Sequence, residues 1–369
     1  MSPDVLGRRA LNRATLSRQL LLDRADLPAV DVVDRLVGMQ AQVPLNPYLA
    51  LWSRLNAFDP EELSARLVDR SLVRIVVMRG TIHLVTADDA LLLRPLFQPV
   101  LDGEMARHPE FRPKLDGVDV AAVVAALRPV LEERPRGVRE LRRLIAERYP
   151  TEDPGALAFA CRNRLALVQV PPRGLWGRGG EVTTTTAEAW LGRPLVEQPS
   201  IDDLVLRYLA AFGPATAADM ATWSRLTGFK EVVDRLRPRL RSFRDERGRE
   251  LLDVPDGLRP DPDVPAPTRL LPEYDNVLLS HADRSRFARD DAGLLATSAA
   301  VHGTALSDGV VSATWALTRD KATATSTMTL RHLPLARRPL ADLEAEAAGA
   351  LRFLEPGAAD HRVVMSAVD

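Results

Sequence analysis

Three times along this chain, segments with helical spacing are followed by two short strand-forming runs joined by a turn, and that order is incompatible with a continuous parallel sheet. The plainest instance ends in Val73-Arg74-Ile75-Val76-Val77-Met78-Arg79-Gly80-Thr81-Ile82-His83-Leu84-Val85. Two β-branched runs flank Arg79-Gly80, a hairpin signal. Ahead of it, residues 11–22 have amphipathic spacing with Leu16, Leu20 and Leu21 on the inner face. A second helix starts near Asp31, and a third, over residues 47–55, carries Tyr48, Leu51 and Trp52. A fourth begins at Asp59-Pro60-Glu61-Glu62, with Asp59 as N-cap and Pro60 in the first turn. Residues 1–8 read as a loose arm. After Thr86 a helix runs over 87–101, and Pro95 should kink or interrupt it.

The order recurs without obvious sequence identity. From Asp119, helices over 120–131, 138–147 and 153–164 precede a strand at 165–170, and the Gly-rich run 176–182 forms the second turn. That run lacks the lysine and the strand-to-helix setting of a phosphate loop. From Ser200, helices over 201–212 and 217–223 are followed by one over 228–237, capped by Thr227. Strands at 240–243 and 251–254 then flank a polar turn at 245–250. Helices closed by a hairpin describe a winged helix. Residues 256–267, rich in Pro and Asp, read as a linker. Beyond it come strands at 268–271, 277–279, 307–316 and 322–330, a helix over 340–353 and a last strand at 361–365. In the fourth strand Thr323, Thr325, Thr327 and Thr329 alternate with Ala324, Ser326, Met328 and Leu330, as a half-buried strand requires. The expected fold class is α+β: three tandem winged-helix units at 8–100, 118–195 and 200–256, then a small β-barrel-like domain at 268–369.

At 369 residues several domains are expected, and the 46% apolar content suits a globular chain. No run approaches the length of a membrane span, and the first residues lack a signal peptide's apolar core, so a cytoplasmic, membrane-free protein is expected. Cys161 is the only cysteine, and the six histidines are scattered without ligand spacing, so no metal and no cofactor are expected. The net charge of −1 argues against a non-specific polycation. Lysine occurs only at Lys114, Lys230 and Lys321. Arginine clusters at 134–148 and 235–249 suit either bidentate phosphate contact or a solvated helix face.

One short stretch offers chemistry. Gln40-Ala41-Gln42 follows a helix-spaced segment over 30–39 and precedes Val43-Pro44-Leu45-Asn46-Pro47, whose prolines forbid a continuing helix. In extended backbone, residues two apart face the same side. Gln40 and Gln42 then share one space while Ala41 faces packed protein. Two neutral amides can hold a water or a base edge, donating and accepting together; the same stretch also serves as a polar helix-ending turn.

The Gln-Ala-Gln stretch, the Arg79-Gly80-Thr81-Ile82-His83 wing and the repeated helix-to-hairpin order together resemble the AlkZ-like family of winged-helix DNA glycosylases, which carry Gln-x-Gln or Gln-x-Asp here. The resemblance implies excision of cationic N7- or N3-alkylated purines from double-stranded DNA, interstrand crosslinks included. It assigns the catalytic role to Gln40 and Gln42, with Asn46, Arg79, Thr81 and His83 lining the site or touching DNA, and a monomer is expected. A non-catalytic winged-helix DNA-binding regulator is the alternative. Against it, the third helix carries one arginine, Arg54, and several apolar residues, which suits packing more than a major groove.

Overall fold

The structure, a computed structural model, describes residues 4–289 and 302–368; residues 290–301 of the expected C-terminal unit and its last residue lie outside the described residues. Local signals place most helices. Asp59 caps Pro60–Val68, Thr86 caps Ala87–Leu96, Asp119 caps Val120–Glu133, Asp153 caps Pro154–Arg164 and Ser200 caps Ile201–Phe212. In each case a side-chain oxygen accepts from an N–H that the first turn leaves open. Pro95 ends its helix as expected, and Gln98–Arg107 continues in a new one. Proline has no N–H to offer the Leu91 carbonyl four residues back; the Val196 amide takes it instead at 3.0 Å.

The strands of the first half are β1 (Val5–Leu6), β2 (Met39–Gln40), β3 (Leu72–Val76), β4 (Ile82–Thr86), β5 (Arg136–Gly137), β6 (Leu167–Gln169) and β7 (Thr183–Thr186). Those of the second half are β8 (Arg241–Asp245), β9 (Glu250–Asp253), β10 (Arg269–Leu271), β11 (Gly303–Ser307), β12 (Val310–Asp320), β13 (Thr325–His332) and β14 (Asp360–Ala367). The hairpin expected around Arg79-Gly80 is β3–β4, and that around 245–250 is β8–β9, both antiparallel. The first hairpin does not stay within its own unit. Strands β2 to β7 form one six-stranded antiparallel sheet in the order β2-β4-β3-β6-β7-β5, joined where Arg74 and Ile75 pair with Gln169 and Val168. One apolar cluster likewise runs from Val37 and Ile75 through Val168 to Tyr208, Trp223 and Leu252.

Four expectations are corrected. The N-terminal arm is not loose: Val5 and Leu6 pair in parallel with Arg244 and Asp245 of β8, and the first helix already begins at Arg8. Edge strand β8 has open N–H and C=O groups, and β1 fills them. Residues 277–279 are not a strand but belong to the short helix Asn276–Leu279, capped by Asp275; an apolar run this short fits either conformation, and the cap decides. The residue leading into Phe229–Leu236 is Gly228, at φ 82°, with no side-chain cap, so Thr227 does not cap that helix. Finally, the C-terminal sheet is open, not barrel-like. Its order β10-β11-β12-β13-β14 leaves two edges, and β14 lies parallel to β13 after the crossover helix Arg337–Leu354. That helix buries Leu343, Ala347, Ala350 and Leu351 over one face of the sheet, so closure is not needed to hide it.

The C-terminal part and the third helix-and-hairpin unit are each tied to the first helices by a buried ion pair. Arg54 holds Asp275 through two bonds of 2.9 and 2.8 Å with both side chains almost fully buried, and Arg18 holds Asp253 in the same way at 2.7 and 2.8 Å. Arg54 also donates to the Gln19 and Ala50 carbonyls, so every nitrogen of its guanidinium has a partner. Removing one member of such a pair strands the other without water. Asp275→Ala should therefore destabilise the protein by about 3–5 kcal/mol in denaturant unfolding; a loss below about 1 kcal/mol would show that the pair does not hold the two parts together.

Candidate active site

The Gln40-Ala41-Gln42 stretch lies along the edge of the six-stranded sheet. Gln40 pairs with His83 across β2 and β4, and the Ala41 amide donates to the Ile82 carbonyl at 2.8 Å. Ala41 is wholly buried, Gln40 is 7% exposed and Gln42 is exposed. The chain is pinned from both sides. Arg74, on β3, donates from Nη2 to the Ala41 carbonyl at 2.8 Å. Arg79, in the hairpin turn, donates from Nη2 to Gln40 Oε1 at 2.9 Å. Gln42 Oε1 receives only a long 3.5 Å contact from the Ile82 amide.

Arg79 reaches Gln40 because the turn is tight. Arg79 and Gly80 both have positive φ, 59° and 72°, and the Thr81 amide closes the turn on the Met78 carbonyl at 3.1 Å. This is the left-handed pair that suits the twist of a two-residue hairpin, and a non-glycine residue held there is strained. The Arg79 guanidinium spans Gln40 Oε1, His83 Nε2 at 3.2 Å and the Trp223 carbonyl at 2.7 Å. It has no carboxylate partner among these contacts. Burial, then the nearby charges of Arg225 and Arg284, push its pKa down to about 10. His83 is buried too. Burial, then Arg79, hold its pKa down at about 3, against the Thr81 carbonyl, which favours the charged form. The ring is therefore neutral near pH 7, with Nδ1–H donating to the Thr81 carbonyl at 3.0 Å and Nε2 left to accept from Arg79.

These contacts divide the labour of the amides. With one lone pair of Gln40 Oε1 taken by Arg79, Gln40 keeps its NH2 donor pair and a second lone pair. Gln42, exposed and weakly held, has a carbonyl oxygen free to accept. A water between them can receive a hydrogen bond from one and give one to the other.

The remaining residues expected at the site separate into two groups. His83 and Arg79 are brought onto Gln40. Thr81 bonds the Met78 carbonyl within the turn and, with Arg79, lines a groove of about 930 Å³ that also takes in Arg107, His108, Arg225 and Thr227. Asn46 is buried and donates to the Glu273 carbonyl at 2.8 Å, so it tethers a loop and is not open to solvent. The third helix, Asn46–Trp52, is packed as expected, with Asn46 through Leu51 buried.

Sequence reasoning did not single out Arg74, Arg225 or Arg284, and of the two arginine clusters that it weighed, eight members carry ion pairs. In the cluster at 134–148, Arg134 and Arg136 pair with Glu140, Arg139 with Glu181 and Arg143 with Glu147. In the cluster at 235–249, Arg235 pairs with Asp202, Arg237 with Glu250, and Arg247 and Arg249 with Asp283. The side chains of Arg225 and Arg284, like those of Arg142, Arg148 and Arg239, make no hydrogen bond or ion pair among the described residues, and Arg225 and Arg284 lie near Arg79. Arg74 is 2% exposed, leaves Nε and Nη1 without a partner, and has its pKa pushed down to about 10 by burial and by Arg173. Nothing local marks these arginines, because what distinguishes them is the absence of a carboxylate brought up by another segment.

Among the described residues no helix is long and apolar enough to cross a membrane. Comparison with known proteins places the chain. An interstrand DNA cross-link repair glycosylase from Streptomyces sahachiroi is 28% identical over 250 residues, which span 65% of this chain and 64% of that protein. The solved structure of the Streptomyces sahachiroi DNA glycosylase AlkZ shares the fold with a TM-score of 0.76 at 23% identity, covering 99% of this chain and 100% of the other. The sequence model of the family described as DNA glycosylase AlkZ-like matches residues 33–353, and this chain belongs to that family.

Proposed function

We propose that this protein is a monofunctional DNA glycosylase that excises cationic N7- or N3-alkylated purines, interstrand crosslinks included, from double-stranded DNA, with Gln40 and Gln42 holding the attacking water. The observation that carries the reading is the pair of amides at the sheet edge, one with its oxygen anchored by Arg79 and its NH2 pair open, the other with its oxygen open to accept. Neither is an acid or a nucleophile. That suffices for a leaving group that already bears positive charge. The C1′–N bond breaks with its electron pair passing to the purine, which departs neutral. The water oxygen then bonds to C1′ and sheds its proton. What the protein supplies is position, which by itself can account for a large share of barrier lowering. The relative's name, an interstrand DNA cross-link repair glycosylase, supports the extension to crosslinks.

DNA would lie along the uncompensated arginines, with Arg79 from the first winged-helix unit, Arg107 from the segment that follows it, Arg225 from the third unit and Arg284 from the C-terminal part. On this reading the three helix-and-hairpin stretches at 8–100, 118–195 and 200–256 act as tandem winged helices around the duplex, with 268–369 as a further domain and the chain working as a monomer in the cytoplasm. The regulator alternative is disfavoured by the third helix, whose first six residues are buried and so cannot enter a major groove.

Gln40→Ala and Gln42→Ala should each slow single-turnover excision of 7-methylguanine by roughly ten- to a thousandfold while leaving binding to undamaged duplex nearly unchanged. Gln42→Asp should keep activity, since a carboxylate can accept from the same water. A double alanine variant working at the parent's rate would sink the assignment. Uracil and hypoxanthine, whose neutral bases need protonation to leave, should remain in the duplex, and borohydride should trap no adduct, since no lysine lies in this stretch. Binding should weaken steeply with salt, and Arg225→Ala should lower the slope of log affinity against log salt by about one. An unchanged slope would remove Arg225 from the phosphate path.

A further inference from the structure

The surroundings of Gln40 pose an electrostatic problem for the proposed substrate. Arg79 touches its amide, Arg225 and Arg284 stand close enough to depress Arg79, and Arg74 is bonded to Ala41, none with a carboxylate partner. A purine carrying positive charge, and a sugar that takes over that charge as the bond breaks, would meet like charge on every side named so far.

Two acidic residues, Glu273 and Asp275, line a separate small cleft that reaches Gln40 from another side. That cleft, with room for about one water, is lined by Gln40, Met39, Arg54 and the loop Pro272-Glu273-Tyr274-Asp275-Asn276. Three buried contacts hold that loop in place. Asp275 is locked to Arg54, Asn276 Nδ2 donates to the Gly38 carbonyl at 2.6 Å, and Asn46 Nδ2 donates to the Glu273 carbonyl at 2.8 Å. Gly38 and Asn46 bracket the glutamines in sequence, so the loop is bonded on both sides of the stretch it faces. Tyr274 takes a positive φ of 61°, where a residue of its size is strained. The loop thus has one imposed conformation. Within it Asp275 is consumed by Arg54, whereas the half-buried Glu273 carboxylate makes no hydrogen bond or ion pair among the described residues.

We propose that Glu273 is the counter-charge of the site: its carboxylate faces the cationic alkylpurine and then the positive charge that passes to C1′. This rests on the glycosylase reading above. As the C1′–N bond breaks, the electron pair goes to the base, the positive charge moves to the sugar, and water addition discharges it as the released proton goes to solvent. A carboxylate carried on a fixed loop backbone beside this path stabilises the charge at both stages and offsets the arginines. Because the Glu273 side chain holds nothing else together, its neutral isostere should not disturb the fold.

The test uses the full chain and three duplexes: undamaged, carrying 2′-fluorinated 7-methylguanine, which is cationic and resists hydrolysis, or carrying 7-methyl-7-deazaguanine, its neutral isostere. The wild type should prefer the cationic duplex, and Glu273→Gln should remove about tenfold of that preference. Affinity for undamaged duplex and the thermal midpoint should not change, and Glu273→Asp should restore part of the preference. Single-turnover excision of 7-methylguanine should fall by roughly ten- to a hundredfold in Glu273→Gln. A Glu273→Gln variant with the wild-type preference and rate overturns the proposal. Gln40→Ala, run alongside, separates the two readings. A lost preference in Glu273→Gln with Gln40→Ala at the parent's rate sinks the glutamine mechanism alone. A kept preference with Gln40→Ala slowed sinks the counter-charge alone.

Discussion

The buried bond between Arg54 and Asp275 is the contact on which the site's geometry depends. An ion pair taken out of water is tolerable only when every donor and acceptor finds a partner. Here every guanidinium nitrogen of Arg54 has a partner, among the carbonyls of Gln19 and Ala50 and both oxygens of Asp275. The end of the first helical region, the third helix and a loop more than two hundred residues away are thereby fixed to one group. Asp275 also caps the helix Asn276–Leu279. The loop ahead of it has little choice of path, and that path runs past Gln40.

Charge pairing elsewhere follows a different logic. Many surface arginines, among them Arg134, Arg136, Arg139, Arg143, Arg235, Arg237, Arg247 and Arg249, meet carboxylates on their own or adjoining segments, and such exposed pairs contribute little to stability. Their effect is to cancel field. A chain of net charge −1 can then carry a local positive region where that cancellation is missing, around Arg74, Arg79, Arg225 and Arg284. Burial of Arg79 costs free energy that the bonds to Gln40, His83 and the Trp223 carbonyl partly offset. The same bonds determine which face of the Gln40 amide remains available. Electrostatics and positioning at this site are therefore one arrangement, imposed by a strained turn residue.

Much of the fold was legible because helix starts and hairpin turns are local. A cap acts on an amide two or three residues away, so Asp59, Thr86, Asp119, Asp153 and Ser200 announce their helices without any tertiary partner. The Arg79-Gly80 turn and the alternation along β13, with Met328 and Leu330 buried and Thr327 and Thr329 only half-buried, follow from equally short-range rules. The glutamine pair was visible as a polar stretch between two helical segments, but the helix before it stops already at Arg35, Val37 and Gly38 at φ 55° and 86° turn the chain into β2, and Pro47 opens the next helix.

The sequence by itself thus determined where helices begin, where the chain turns and which two amides end the 30–39 segment. Tertiary structure alone decided which strands are neighbours. The hydrogen-bonding edge of a strand carries no address, so nothing in Val5-Leu6 names β8, and nothing in Arg74 and Ile75 names β6. It also decided which arginines are neutralised, because a charge is cancelled by whatever the fold brings within a few ångströms, irrespective of its neighbours in the chain. Asp275 and Glu273 stand two positions apart in one loop; the fold alone gives the first to Arg54 and leaves the second facing the cleft of Gln40.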